Sequence, residues 1–123
     1  MRVETLPQLL FFATRKQPNP KAFQRKVNGV YEALPASAFE RLCLETGLGL
    51  RSLGLAPGDR IAILARSGVD WAVCDFAIQL AGGLSVPIYP TLLTGPIARI
   101  LEHAGCRAVF VEDDEQAAKV LSL

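Results

Sequence analysis

The chain has 123 residues, 50% of them hydrophobic, with 13 Lys and Arg against 12 Asp and Glu and a formal charge of +1. That length can bury a real core in one domain, and a nearly neutral balance without long single-sign blocks excludes an electrostatic nucleic-acid binder. Three cysteines, at 43, 74 and 106 with no CxxC spacing, exclude a zinc site and a disulfide framework and point to a reducing, cytoplasmic setting.

The N-terminus carries Arg2, Glu4 and only a short apolar patch, so it does not read as a secretory signal. No run reaches the ~18 apolar residues that would span a bilayer. The nearest, Phe76 to Tyr89, is broken by Gln79, Gly82-Gly83 and Pro87. Thr5-Leu6-Pro7-Gln8 fits a capping box with Pro in the first turn. Leu6, Leu9, Leu10 and Ala13 recur behind it at helical spacing, which predicts an amphipathic helix to about Lys16, ended by Pro18 and Pro20. Residues 22–27 and 30–34 flank Asn28-Gly29, the pair that best accepts positive φ in a two-residue hairpin turn. Ser37-Ala38-Phe39-Glu40 fits a second capping box. The helix behind it sets Phe39, Leu42, Cys43, Leu50 and Leu53 on one stripe, with Gly54 at its end. Gly47 and Gly49 inside that helix predict close approach of a neighbouring backbone, since each costs helix propensity.

Three short apolar runs follow at intervals of about twenty-four residues: 61–64, 84–88 and 108–111. None alternates with polar residues, the pattern of strands covered on both faces. Helical segments fill the gaps, from Val69 to Ala81, from Thr94 to His103, and from Asp114 onward. The order predicts a βαβαβ unit with a parallel sheet. The helix from Val69 is apolar on two sides: Val69, Ala72, Val73, Phe76, Ala77 and Leu80 on one, Trp71, Cys74 and Ile78 on the other. It therefore needs a second protein layer, more than this chain is expected to supply.

Most candidate sites have a plain structural reading beside the chemical one. Ala65 to Trp71 joins a strand to a helix through one glycine, without the glycine fingerprint of a phosphate cradle. Gly82-Gly83 follows a helix and suits a cap into a strand. Glu112 to Glu115 opens a helix, where acid is favoured by the dipole, and adjacent carboxylates splay apart rather than converge on a metal. His103, the single histidine, sits at a helix end without a nucleophile beside it. Pro87 marks an edge or strand end, so Tyr89, Pro90 and Thr91 lie at a strand's carboxyl end, where open α/β sheets bind ligands. They read as the rim of a substrate cleft or as a packed turn.

In order and wording, GDRIAIL (58–64), DWAVCDFAIQLAGG (70–83) and PIYPT (87–91) resemble adenylate-forming acyl-CoA synthetases, most closely long-chain fatty acid–CoA ligases. TLPQLL (5–10), GVYEALPASAFERL (29–42) and FVEDDEQAAKV (110–120) extend the resemblance over nearly the whole chain. It implies an α/β fold: an N-terminal helix and β-hairpin followed by a βαβαβ parallel-sheet unit, part of the large N-terminal domain of such enzymes. Residues 1–123 would be one incomplete subdomain, divided into 1–55 and 56–123. The family joins a carboxylate to ATP with Mg, then passes the acyl group to CoA. Its phosphate loop and catalytic lysine have no counterpart here, which implies an N-terminal piece of a longer enzyme, without catalytic residues or cofactor of its own and inactive alone. The resemblance implies CoA contacts near the segments Tyr89 to Thr91 and Gln116 to Lys119, with Tyr89, Thr91 and Lys119 as the candidate CoA or cleft-rim residues. Implied partners are the rest of the parent enzyme, a fatty acid, CoA and a second copy in a homodimer, with peripheral membrane contact left open. A stand-alone Rossmann-like nucleotide-binding module and an oligomerisation module remain the rival readings.

Overall fold

The structure is a computed structural model that describes residues 2–123. Helix α1 (Leu6–Lys16) leads into a hairpin of β1 (Phe23–Val27) and β2 (Val30–Leu34), and then α2 (Ala36–Ser52). The second half alternates β3 (Arg60–Leu64), α3 (Val69–Leu80), β4 (Leu84–Ile88), α4 (Thr94–Ala104), β5 (Cys106–Val111) and α5 (Asp114–Leu121). Its three strands form a parallel sheet in the order β4-β3-β5.

The local signals hold where they rest on local chemistry. Thr5 and Gln8 form the expected reciprocal capping box. Asn28 and Gly29 both take positive φ, 50° and 81°, and pair Val27 with Val30 across the turn. Asp113 caps α5 by accepting from the Gln116 amide at 2.9 Å.

Alternation along β3 divides the core. Ile61 and Ile63 face α2 and α3, packing with Leu50, Leu55, Ala77 and Ile78. Ala62 and Leu64 face the other way, onto Ile88 and Ile97 with Ile100 and Val120 around them. A further cluster joins Leu10 of α1, Phe39 and Cys43 of α2, and Val73 of α3. Phe23 from the hairpin stacks on Phe39 with ring centroids 3.7 Å apart. These groups supply part of the layer over α3 that its two-sided pattern demands. Val73, Ala77 and Ile78 are buried by it, while Val69, Trp71, Ala72, Cys74, Phe76 and Leu80 stay half-buried, so the cover is partial, as the pattern predicts.

Four expectations are revised. Among the described residues only β3 is covered on both faces; β4 and β5 are edges, and Leu84 and Val111 stay exposed. The second capping box does not form. The helix starts at Ala36 behind Pro35, with no side-chain cap. Glu40 instead accepts from Arg15 (Nη2 at 2.7 Å, Nε at 3.1 Å) and from the Thr14 hydroxyl. That clamp sets the rotation of α1. Leu10 and Thr14 are its buried residues, while Leu6, Leu9 and Ala13 face outward. Leu53 leaves the α2 stripe at 81% exposure because the chain turns there, and Leu55 takes the core position.

The glycines divide by what surrounds them. A Cβ at Gly47 would stand 3.2 Å from the Ala77 carbonyl oxygen, the predicted close approach, whereas at Gly49 it would meet nothing within 4 Å. At Gly83 it would stand 3.0 Å from the Asp59 carbonyl oxygen and 3.3 Å from that of Ile78, both backbone atoms.

Two outcomes follow. In urea unfolding, Gly83→Ala is expected to lower stability by about 1–3 kcal/mol through overpacking, and Gly49→Ala to raise it by about 0.5–1 kcal/mol through helix propensity. The Glu40 carboxyl is held below the usual range chiefly by its bond from Arg15, against the opposing effect of burial. Its contribution to stability is therefore complete above its unfolded value and drains as pH falls through the lower folded value. Glu40→Gln should flatten the acid limb of stability against pH; an unchanged limb would remove the clamp from that role.

Candidate functional site

In an open parallel sheet the loops at the carboxyl ends of the strands are the ones free to build a site. Three such loops lie here: 65–68 after β3, 89–93 after β4, and 112–113 after β5. Because β4 and β5 flank β3 on opposite sides, the loops after β3 and β5 part in opposite directions, leaving a crevice between them.

That crevice holds a cavity of about 590 Å³, with Trp71, Phe110 and Cys74 in its walls and Arg25 and Arg66 at its rim. Both guanidinium groups are already matched. Arg25 Nη2 lies 2.6 Å from Asp70 Oδ1. Glu112 accepts from the Arg66 amide at 3.1 Å and pairs with its Nε at 3.4 Å. Gly68 caps α3 without any side-chain bond. The geometry is that of a braced turn, with Glu112 spent on bracing and Asp113 on capping. Among the described residues no three His, Cys, Asp or Glu side chains are placed to hold a metal ion.

The loop after β4 differs, and here the sequence candidates meet. Tyr89 is 78% exposed and Thr91 is exposed beside it. Lys119, a helix away in the sequence, reaches the same loop: its Nζ donates to the carbonyls of Pro90 at 2.8 Å and Leu92 at 3.0 Å. Gln116 also belongs here, its Nε2 donating to Pro90 at 3.0 Å. The resemblance marked the segment that begins at Gln116 but not this bond, because nothing in a polar residue of a helix's first turn reveals a partner twenty-six positions earlier. His103 stands exposed in the last turn of α4, away from these groups in the fold.

None of the cysteines is set up as a nucleophile. Burial pushes the Cys43 thiol up to about 12 and the Cys74 thiol to about 11, and also raises Cys106. A thiol kept protonated in apolar surroundings is inert.

Residues 11–123 match the family model described as AMP-binding enzyme. The chain belongs to the AMP-binding enzyme family. Over 120 residues it is 30% identical to the long-chain-fatty-acid–CoA ligase FadD15 of Mycobacterium bovis, a match covering 98% of this chain and 20% of that protein. It is 29% identical over 119 residues to the long-chain-fatty-acid–CoA ligase ACSBG2 of Rattus norvegicus, covering 97% and 18%. Among solved structures, the N-terminal domain of FACL13 from Mycobacterium tuberculosis superposes with a TM-score of 0.82 at 21% identity, covering 98% of this chain and 30% of that one. The fatty acyl-adenylate ligase from L. pneumophila, in complex with acyl adenylate and pyrophosphate, superposes at 0.81 and 21% identity, covering 96% and 21%. At those identities the superpositions establish the fold. The chain spans about one fifth of the length of the curated relatives it matches. As an AMP-binding family member it corresponds to the N-terminal portion of an adenylate-forming enzyme. Among the described residues no helix is long and apolar enough to cross a membrane.

Proposed function

We propose that the protein carrying this chain is a fatty acyl–CoA ligase of the cytosol. It joins a fatty acid carboxylate to ATP, releasing pyrophosphate, and then transfers the acyl group to the thiol of CoA. The observation that carries this reading is the match of 98% of the chain, at 30% identity, to a long-chain-fatty-acid–CoA ligase. Residues 1–123 act as one incomplete N-terminal subdomain, the helix–hairpin–helix of 1–55 bracing the parallel unit of 56–123.

The donor set suits CoA better than it suits a magnesium nucleotide. Tyr89 and Thr91 offer exposed hydroxyls, and Lys119 offers a cation with one N–H beyond the two its carbonyl bonds use. CoA brings phosphates for a cation and an adenine for an aromatic face. Magnesium does not fit the described residues, whose carboxylates do not converge, and no step through it is assigned to them. The single glycine in the turn after β3 counts against a stand-alone nucleotide module.

Exposed apolar side chains lie along β4 and the loop after it, Leu84, Tyr89 and Leu93 among them. Such surfaces favour association, here a homodimer, and leave room for peripheral contact with a lipid surface.

In the complete enzyme, fatty acid should drive pyrophosphate release from ATP, and Lys119→Ala should raise KM for CoA about tenfold, the loss of one charge-assisted contact. Fatty acid turnover by the 123-residue chain alone, or none by the complete enzyme, would overturn the assignment. Sedimentation equilibrium of this chain should show a dimer; a monomer across a wide concentration range removes the association.

A further inference from the structure

Among the described residues the loop after β4 has no strand on its outer side, because β4 is an edge. Its support comes from α5. The Pro90 carbonyl receives Gln116 Nε2 at 3.0 Å and Lys119 Nζ at 2.8 Å, filling both of its lone-pair directions. The Leu92 carbonyl receives Lys119 Nζ at 3.0 Å. The Leu92 amide closes the turn onto the Tyr89 carbonyl at 3.2 Å. Gln116 and Lys119, three residues apart, share a face of α5, and the Asp113 cap fixes the first turn on which Gln116 sits.

Gln116 is 4% exposed, and its Oε1 is buried without a partner. A Leu or Met there would fill the space without that orphaned oxygen, so the amide is retained at a cost. Its donating half is what the fold uses. The effect on the loop is an alternation. Residues 90 and 92 turn inward to α5, while Tyr89, Thr91 and Leu93 face out.

We propose that Gln116 and Lys119 are positioning residues, which pin the backbone of residues 90–92 so that Tyr89 and Thr91 are presented in one fixed arrangement at the end of β4. The pinning stands on the geometry alone; its consequence for CoA rests on the function proposed above.

Amide hydrogen exchange followed by NMR on this chain reads the pinning directly. Lys119→Met keeps the stem and removes the ammonium. Exchange at the Leu92 amide should then quicken about tenfold, while the amides of Ile61 to Leu64 keep their rates. Lys119→Arg, which retains N–H donors, should restore most of the protection. Gln116→Met removes one bond together with the orphaned oxygen, so it folds, and it should quicken Leu92 by a smaller factor. Unchanged Leu92 protection in Gln116→Met and in Lys119→Met would overturn the proposal.

In the complete enzyme, CoA and pantetheine, which lacks the nucleotide, separate pinning from direct contact. A loosened loop weakens both in Lys119→Met, and CoA by the further factor of its lost phosphate contact. Weakening of CoA alone, with Leu92 protection intact, would overturn the proposal. If neither affinity changes while Leu92 exchange quickens, the pinning stands and the CoA reading fails.

Discussion

Four consecutive residues, Ile61 to Leu64, carry the architecture. Among the described residues they form the one strand with a hydrogen-bonded neighbour on each side and a helical layer on each face, and all four are at most 1% exposed. Burying Ile61, Ile63 and Leu64 is worth about 1.5–3 kcal/mol apiece. Alternation sends successive side chains to opposite layers. A slip of one residue would exchange the two cores, so Ile61 to Leu64 keep one continuous register with each neighbour, and the one shift, toward β5, falls outside them between Arg60 and Ile61.

Around that strand, polar contacts choose orientation rather than supply the bulk of the stability. The Arg15, Thr14 and Glu40 clamp selects which face of α1 meets α2, against the pull of an alternative apolar stripe. Lys119 and Gln116 do the same for the loop after β4. In both cases a few hydrogen bonds with strict geometry decide between packings of similar apolar area, because burial is not directional and hydrogen bonds are.

The two edges of the sheet are not equivalent. The Leu84 amide bonds toward β3, so alternate residues of β4, including Pro87, turn their backbone outward. Proline has no N–H to offer, and the β4 edge is one donor short for any incoming strand. What β4 does present is the loop at its carboxyl end, with exposed tyrosine and threonine held from behind by Lys119 and Gln116 of α5. That placement follows the general tendency of parallel sheets to bind ligands beyond their strand ends. A frame of this kind suits the N-terminal portion of an adenylate-forming enzyme.

The amino-acid sequence by itself determined the elements and their order. The Asn28-Gly29 turn, the Thr5 cap and the short apolar runs at 61–64 and 84–88 follow from backbone sterics and local periodicity, which act over a few residues. The family was also legible, from the wording and spacing of 58–64, 70–83 and 87–91. Tertiary structure alone decided that Glu40 leaves its expected cap for Arg15, that Leu55 rather than Leu53 enters the core, and that α1 and α2 cover α3. It also decided that Lys119 and Gln116 reach the carbonyls of Pro90 and Leu92. Each of these outcomes is a competition between partners more than twenty positions apart or between two faces of one helix. Local pattern sets no winner there, because the partners become neighbours only once the sheet has assembled.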